Sequence, residues 1–147
     1  MAPFIVLVVA AIAFWSLGRA GVAIFEHPGT VLRMALGLMF LLTASAHWGK
    51  RRPDLIRMVP PAFPWPDLLV TITGMLEILG AIGLFIPRTA TAAAICLAVM
   101  LIAMFPANVQ AARHNLTIAG QRVPSLPVRT AMQVVFVAAL AGAAWLK

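Results

Sequence analysis

Five long apolar runs limit what this chain can fold into. Residues 2–18 read APFIVLVVAAIAFWSLG, and the apolar character continues to about Phe25. Residues 30–48 read TVLRMALGLMFLLTASAHW, with Arg33 near the start. Residues 67–87 form the third run, residues 89–112 carry no charge at all, and residues 130–146 form the last. A helix crossing a bilayer needs roughly 17–25 apolar residues, and each run has about that length. The runs are continuous and rich in Ala and Leu, without the alternation of an outer-membrane barrel. Inside lipid the backbone must satisfy its own hydrogen bonds, which leaves α-helices. The expected fold is an all-α membrane protein, a single transmembrane domain over residues 1–147. Its helices are expected at about 3–25, 30–48, 66–86, 89–112 and 129–146.

Composition agrees. The chain is 63% hydrophobic and 10% charged, against about 45–50% and about 25% for a soluble domain. The net charge of +7 does not indicate nucleic acid, because no basic helix face or aromatic-basic interleaving is present. The cations lie between the apolar runs, where topology and anionic lipid headgroups account for them. Cys96 is the only cysteine, so an intramolecular disulfide and a paired-cysteine redox centre are excluded. It reads as a packed thiol. The first run lacks the basic start of a signal peptide and reads as a retained helix.

The connections set the topology. Residues 49–66, GKRRPDLIRMVPPAFPWP, are basic and proline-rich, and Pro60, Pro61, Pro64 and Pro66 bar a regular helix there. Trp48 and Trp65 flank this stretch as interfacial aromatics do, so it is expected to lie on the membrane or dip into it. Residues 113–129 form a second polar connection, and Ile86 to Thr89 a tight hairpin at the opposite end. One end then holds Lys50, Arg51, Arg52, Arg57, Arg113, Arg122 and Arg129, the other Arg19, Arg33, Arg88 and Lys147. The positive-inside rule puts the first end, and the N-terminus, in the cytoplasm, and the C-terminus outside. Asn115-Leu116-Thr117 is a glycosylation sequon that this topology keeps cytoplasmic. Nine of the eleven cations are Arg, and Ala is abundant, which points to a bacterial cytoplasmic (inner) membrane.

One acidic residue breaks the third run, LLVTITGMLEILGAIGLFIP. The helical neighbours of Glu77 are Thr73, Gly74, Gly80 and Ala81, all small, which puts the carboxylate on a face that another helix can approach closely. A charge at this depth costs roughly 2.5–3.5 kcal/mol on the insertion scale, and an ionisable group inside a span is a candidate functional site. An interhelical hydrogen bond that merely holds the bundle is the alternative. The candidate partners are His47, Asn108, Gln110, Thr71, Thr73 and Gln133. Pro106 removes a helical N–H and frees a carbonyl near Ile102 for Asn108 or a water to bond. Glu77 lies roughly 15 Å into its helix, whereas His47 and Asn108 lie near the ends of theirs. Direct contact therefore requires tilt or a dipping loop, or a relay through water or ligand. His27, His47 and His114 show no metal-ligand spacing. No hydrolase, phosphate-loop or dinucleotide motif is present, so neither a catalytic residue nor a metal site is assigned.

The order Gly37-Leu38-Met39-Phe40, Ala46-His47-Trp48, a proline-bearing loop, Thr73 to Ala81 with Glu77 at its centre, Gly83-Leu84-Phe85-Ile86-Pro87 and Phe105-Pro106-Ala107-Asn108 resembles the DoxX-like membrane proteins. The resemblance covers about residues 31–146 and implies a four-helix transmembrane bundle core, here with one additional N-terminal helix. His47-Trp48 stands where that family commonly has His-Phe. It implies Glu77, His47 and Asn108 as ligand-binding or proton-relay residues and Gly74, Gly80, Ala81 and Pro106 as structural ones. It also implies an association with quinone-linked redox systems of the envelope. Three functions follow as expectations. The first is a redox-associated accessory subunit that binds a quinone or similar lipophilic molecule near Glu77, not an enzyme on its own. The second is a non-catalytic assembly factor for a partner protein, or a homo-oligomer. The last is a proton-coupled transporter, for which inverted repeats are not evident.

Overall fold

The computed structural model describes residues 2–146. Seven α-helices follow in chain order: α1 (Ala2–Arg19), α2 (Pro28–Ser45), α3 (Arg52–Met58), α4 (Pro66–Phe85), α5 (Ala90–Ala103), α6 (Phe105–Arg113) and α7 (Leu126–Trp145). A two-stranded antiparallel ribbon, β1 (Thr117–Ile118) and β2 (Gln121–Arg122), separates α6 from α7. α1, α2, α4, α7 and the stretch Ala90–Arg113 are each long and apolar enough to cross a membrane.

Prolines that break the chain also start its helices. α2, α3, α4, α6 and α7 each carry a proline in the first turn, where its missing N–H has no intrahelical partner to lose. The proline-rich connection is therefore irregular over residues 49–51 and 59–65, and α3 (Arg52–Met58) forms between them with Pro53 in its first turn. The uninterrupted fourth helix expected over 89–112 is divided at Met104, with Pro106 opening α6.

The first helix stops at Arg19, six residues short of the expected end. Gly21 adopts φ +93°, Val22 N donates to Leu17 O, and Gly21 N donates to Gly18 O. This is a Schellman stop, which a residue with a Cβ adopts reluctantly. The chain then folds back through a short 3-10 turn at Ala23–Phe25. Lys147, the last cation of the topology count, lies outside the described residues.

α2 packs against α1, α4 and α7, and α5 against α4 and α7. α2, α4, α5 and α7 thus form a closed ring, with α1 applied to the outside of α2. The core joins Leu36, Met39 and Phe40 of α2, Leu84 of α4, Leu97 of α5 and Leu140 of α7, all essentially inaccessible. Glycines set the close approaches. A Cβ on Gly37 would stand 2.3 Å from the Phe85 ring, and one on Gly80 2.5 Å from Leu97.

These contacts also fix a stagger. Gly37 meets Phe85, and Gly74 meets His47, so α2 and α4 are antiparallel and displaced along their axes. Gly74 is eight residues into α4, so roughly 12 Å of that helix extends beyond the end of α2. α3 packs against this extension.

Candidate functional site

The stagger brings Glu77 and His47 together. Glu77 is 4% exposed and shares the buried face of α4 with Val70, Gly74, Ala81 and Leu84. His47 follows the end of α2 and is 5% exposed. Its Nδ1 lies 3.9 Å from Glu77 Oε2, too far for a hydrogen bond. Nδ1 is also 3.2 Å from the Thr43 carbonyl. A carbonyl can only accept, so Nδ1 is the protonated nitrogen of that contact. Glu77 Oε2 is buried without a hydrogen-bond partner. The Thr43 side chain stands beside the carboxyl, but its hydroxyl donates to the Phe40 carbonyl at 3.0 Å. What the carboxylate oxygen lacks is a donor, and an O–H or N–H group entering beside His47 supplies one.

Gly74 makes the pair possible. Its α-carbon faces His47 and the Trp48 ring so closely that a Cβ would lie 2.7 Å from His47 Cβ and Cγ and 2.8 Å from Trp48 Cη2. The four small neighbours of Glu77 do not share one packing face. Gly74 receives the end of α2, whereas Gly80 receives Leu97 of α5. Ala81 is fully buried, and the Thr73 hydroxyl is taken by the Leu69 and Val70 carbonyls of its own helix.

Asn108 is not part of this pair. Its Nδ2 donates to Gln133 Oε1 at 2.9 Å, and its Oδ1 accepts from Arg129. Gln133 Nε2 in turn donates to the Leu101 carbonyl at 2.8 Å. The carbonyl engaged at the break before Pro106 is that of Leu101, not of Ile102, and its donor is Gln133 on α7 rather than Asn108. Register explains the separation from Glu77. Gly80 faces Leu97, which puts Glu77 level with Met100, and Asn108 is eight residues further on, roughly 12 Å along the axis.

Arg52 completes the site from outside. It donates to the His47 carbonyl at 2.8 Å, the Asp67 carbonyl at 3.0 Å and Thr71 Oγ1 at 2.9 Å. One guanidinium therefore ties the end of α2 to the first turns of α4. In the sequence Arg52 is one of four cations in a connection, and only its place at the start of a helix after a tight turn distinguishes it. Among the described residues no group of three His, Cys, Asp or Glu side chains is arranged to hold a metal. Two surface grooves, one between α5 and α7 and one at the end of α1, do not include Glu77 or His47.

These features define a predominantly helical chain, with five stretches apolar enough to cross a membrane and one acid–histidine pair buried between two of them. Residues 36–145 match the family described as a domain of unknown function, DUF8561. The chain belongs to that family, and the matched region contains His47, Glu77 and Asn108, with α1 lying ahead of it. No match was found among curated proteins or solved structures.

Proposed function

We propose that this chain is an accessory subunit of a bacterial inner-membrane redox system, not an enzyme on its own. In this reading Glu77 and His47 take the polar head of a lipophilic ligand, a quinone being the class implied by the DoxX resemblance. The observation that supports it is the unpartnered Glu77 Oε2, buried at the level of the apolar core and 3.9 Å from an imidazole. A buried polar atom without a partner costs about 1–3 kcal/mol, more if charged, and a hydroxyl or protonated head group removes that cost. Four helices form the core and α1 is the addition. The Arg52 end faces the cytoplasm by the distribution of cations.

The test is extraction in mild detergent followed by analysis of bound lipophiles, for the native protein and Glu77→Gln. A quinone that co-purifies with the native protein and is lost from the variant is expected. Absence of any quinone, together with unchanged quinol-dependent activity of the host membranes in Glu77→Gln, rejects the reading.

A second reading, a non-catalytic assembly factor, is favoured by α1. Ile5, Val9, Ile12 and Trp15 of this helix are each at least half exposed, a surface on which a partner helix can pack. Deletion of residues 1–25 and Glu77→Gln then each lower the yield of a partner complex, and Glu77→Gln leaves quinol-dependent turnover unchanged.

A further inference from the structure

A groove lies at the end of the bundle opposite His47. The stop of α1 at Gly21 turns the chain back on its own helix. A Cβ on Gly18 would stand 2.2 Å from the Phe25 carbonyl oxygen, so the returning backbone lies directly on the helix end. The Phe14 and Phe25 rings stack at 4.6 Å with 14° between their planes, which holds the return in place. Glu26 is thereby carried beside Arg19, the last residue of α1. Together with Trp15, Gly18 and Phe25 these two residues line an open surface groove of about 230 Å³.

The charges in the groove are opposite but not joined. The ion pairs among the described residues are His47–Glu77 and Arg57–Asp54, so Arg19 and Glu26 are held in one groove without bridging each other. A ligand with an anion and a cation a short distance apart satisfies both. Half-exposed Trp15 marks the level of the headgroups, where indole rings concentrate. Below it, Ile5, Val8, Val9 and Ile12 of α1 form an exposed apolar face along which acyl chains can lie.

We propose that this groove binds the head of a zwitterionic aminophospholipid, a phosphate linked to a primary ammonium. The Arg19 guanidinium takes the phosphate, where it can donate two parallel hydrogen bonds. The Glu26 carboxylate takes the ammonium, which donates N–H groups that a quaternary ammonium lacks. The site is independent of the Glu77 reading, because it uses no residue of that pair and lies at the other end of α2.

The experiment is native mass spectrometry of the full chain in detergent, offered phosphatidylethanolamine, phosphatidylcholine and phosphatidylglycerol with the same acyl chains. Retention of the ethanolamine lipid roughly tenfold above the choline lipid is expected, the loss of about one charged hydrogen bond. Glu26→Gln brings the two to parity, Glu26→Asp keeps the preference, and Arg19→Gln lowers the ethanolamine and glycerol lipids together. Both side chains are exposed, and unchanged melting temperatures establish that the variants are folded. Equal retention in the native protein, or a preference that survives Glu26→Gln, overturns the proposal. So does soluble glycerophosphoethanolamine binding as tightly as the lipid, which identifies a free phosphoamine as the ligand instead.

Discussion

His47 occupies the space that a side chain at residue 74 would fill: a Cβ on Gly74 would lie 2.7 Å from His47 Cβ and Cγ. The glycine therefore decides more than how closely two helices approach. It admits the end of α2 to a depth at which the imidazole reaches the carboxyl of Glu77, 3.9 Å away. The small residues beside a buried acid here make room for its partner, not only for a neighbouring backbone.

Gly74→Ala is expected to destabilise the protein by about 1–3 kcal/mol, the usual cost of overpacking, because the nearest atoms belong to the stem of His47 rather than to a free side-chain end. Thermal unfolding in detergent measures it. Gly49→Ala is the control. Its Cβ would meet only Ser45 O, at 3.4 Å, and the change should stay within about 0.5 kcal/mol. Equal effects at both positions contradict the packing argument.

Arg52→Gln removes a guanidinium that donates to three acceptors on two helices. Hydrogen bonds from charged groups are worth about 1.5–3 kcal/mol each, but solvent reaches this end, so a total loss of about 1–3 kcal/mol is expected. The diagnostic readout is hydrogen exchange. The His47 to Arg52 segment and the first turn of α4 should lose protection together. Loss confined to α3 would show that Arg52 does not join the two helices.

Gln133→Leu leaves the Leu101 carbonyl and the Asn108 amide without the partners they now have. Interhelical hydrogen bonds in membranes average about 0.6 kcal/mol, with a maximum near 1.7, so a loss within about that range is expected for the pair. Asn108→Leu on top of it should cost less than it does alone, since the two residues share one bond. Strict additivity in the double-mutant cycle would mean that they act independently.

Asp54 gives a pH dependence. Its carboxylate accepts from Ala119 N at 2.8 Å and from Arg57, and these donors hold its pKa below the usual aspartate value, the Ala119 N–H being the larger cause. A depressed folded pKa contributes stability that is present above the unfolded value, about 3.9, and is lost as pH falls through the folded one. The ribbon that includes Ala119, held at φ +53°, should therefore loosen on α3 only below about pH 4. Hydrogen exchange at the Ala119 amide between pH 7 and pH 3 follows this. In Asp54→Asn the acid-dependent part should vanish, and a persistent acid transition in the variant would assign it to another group.

The apolar runs made the helices legible, because a run long and apolar enough to cross a membrane leaves the backbone one way to satisfy itself there. Their ends were less legible. Gly21 stops α1 through a backbone conformation, and Pro106 begins α6 as much as it ends α5. Neither residue announces from the sequence on which side of it the chain stays helical. Arg52 was visible only as a charge, since its three acceptors are backbone and hydroxyl groups brought to it by two other elements.

The sequence by itself determined that Glu77 lies deep within an apolar helix flanked by small residues, and that few polar groups are available to meet it. Which of them meets it was decided by the tertiary structure. The axial displacement of α2 against α4, set where Gly37 receives Phe85 and Gly74 receives His47, lowers Glu77 to the histidine. The register of α4 on α5, set at Gly80 and Leu97, leaves Asn108 roughly two turns away, where Gln133 and Arg129 engage it. The physical reason is that helical periodicity fixes the direction of a side chain around its own axis. Its height against a neighbour depends on which surfaces interlock, and that is a property of pairs of helices.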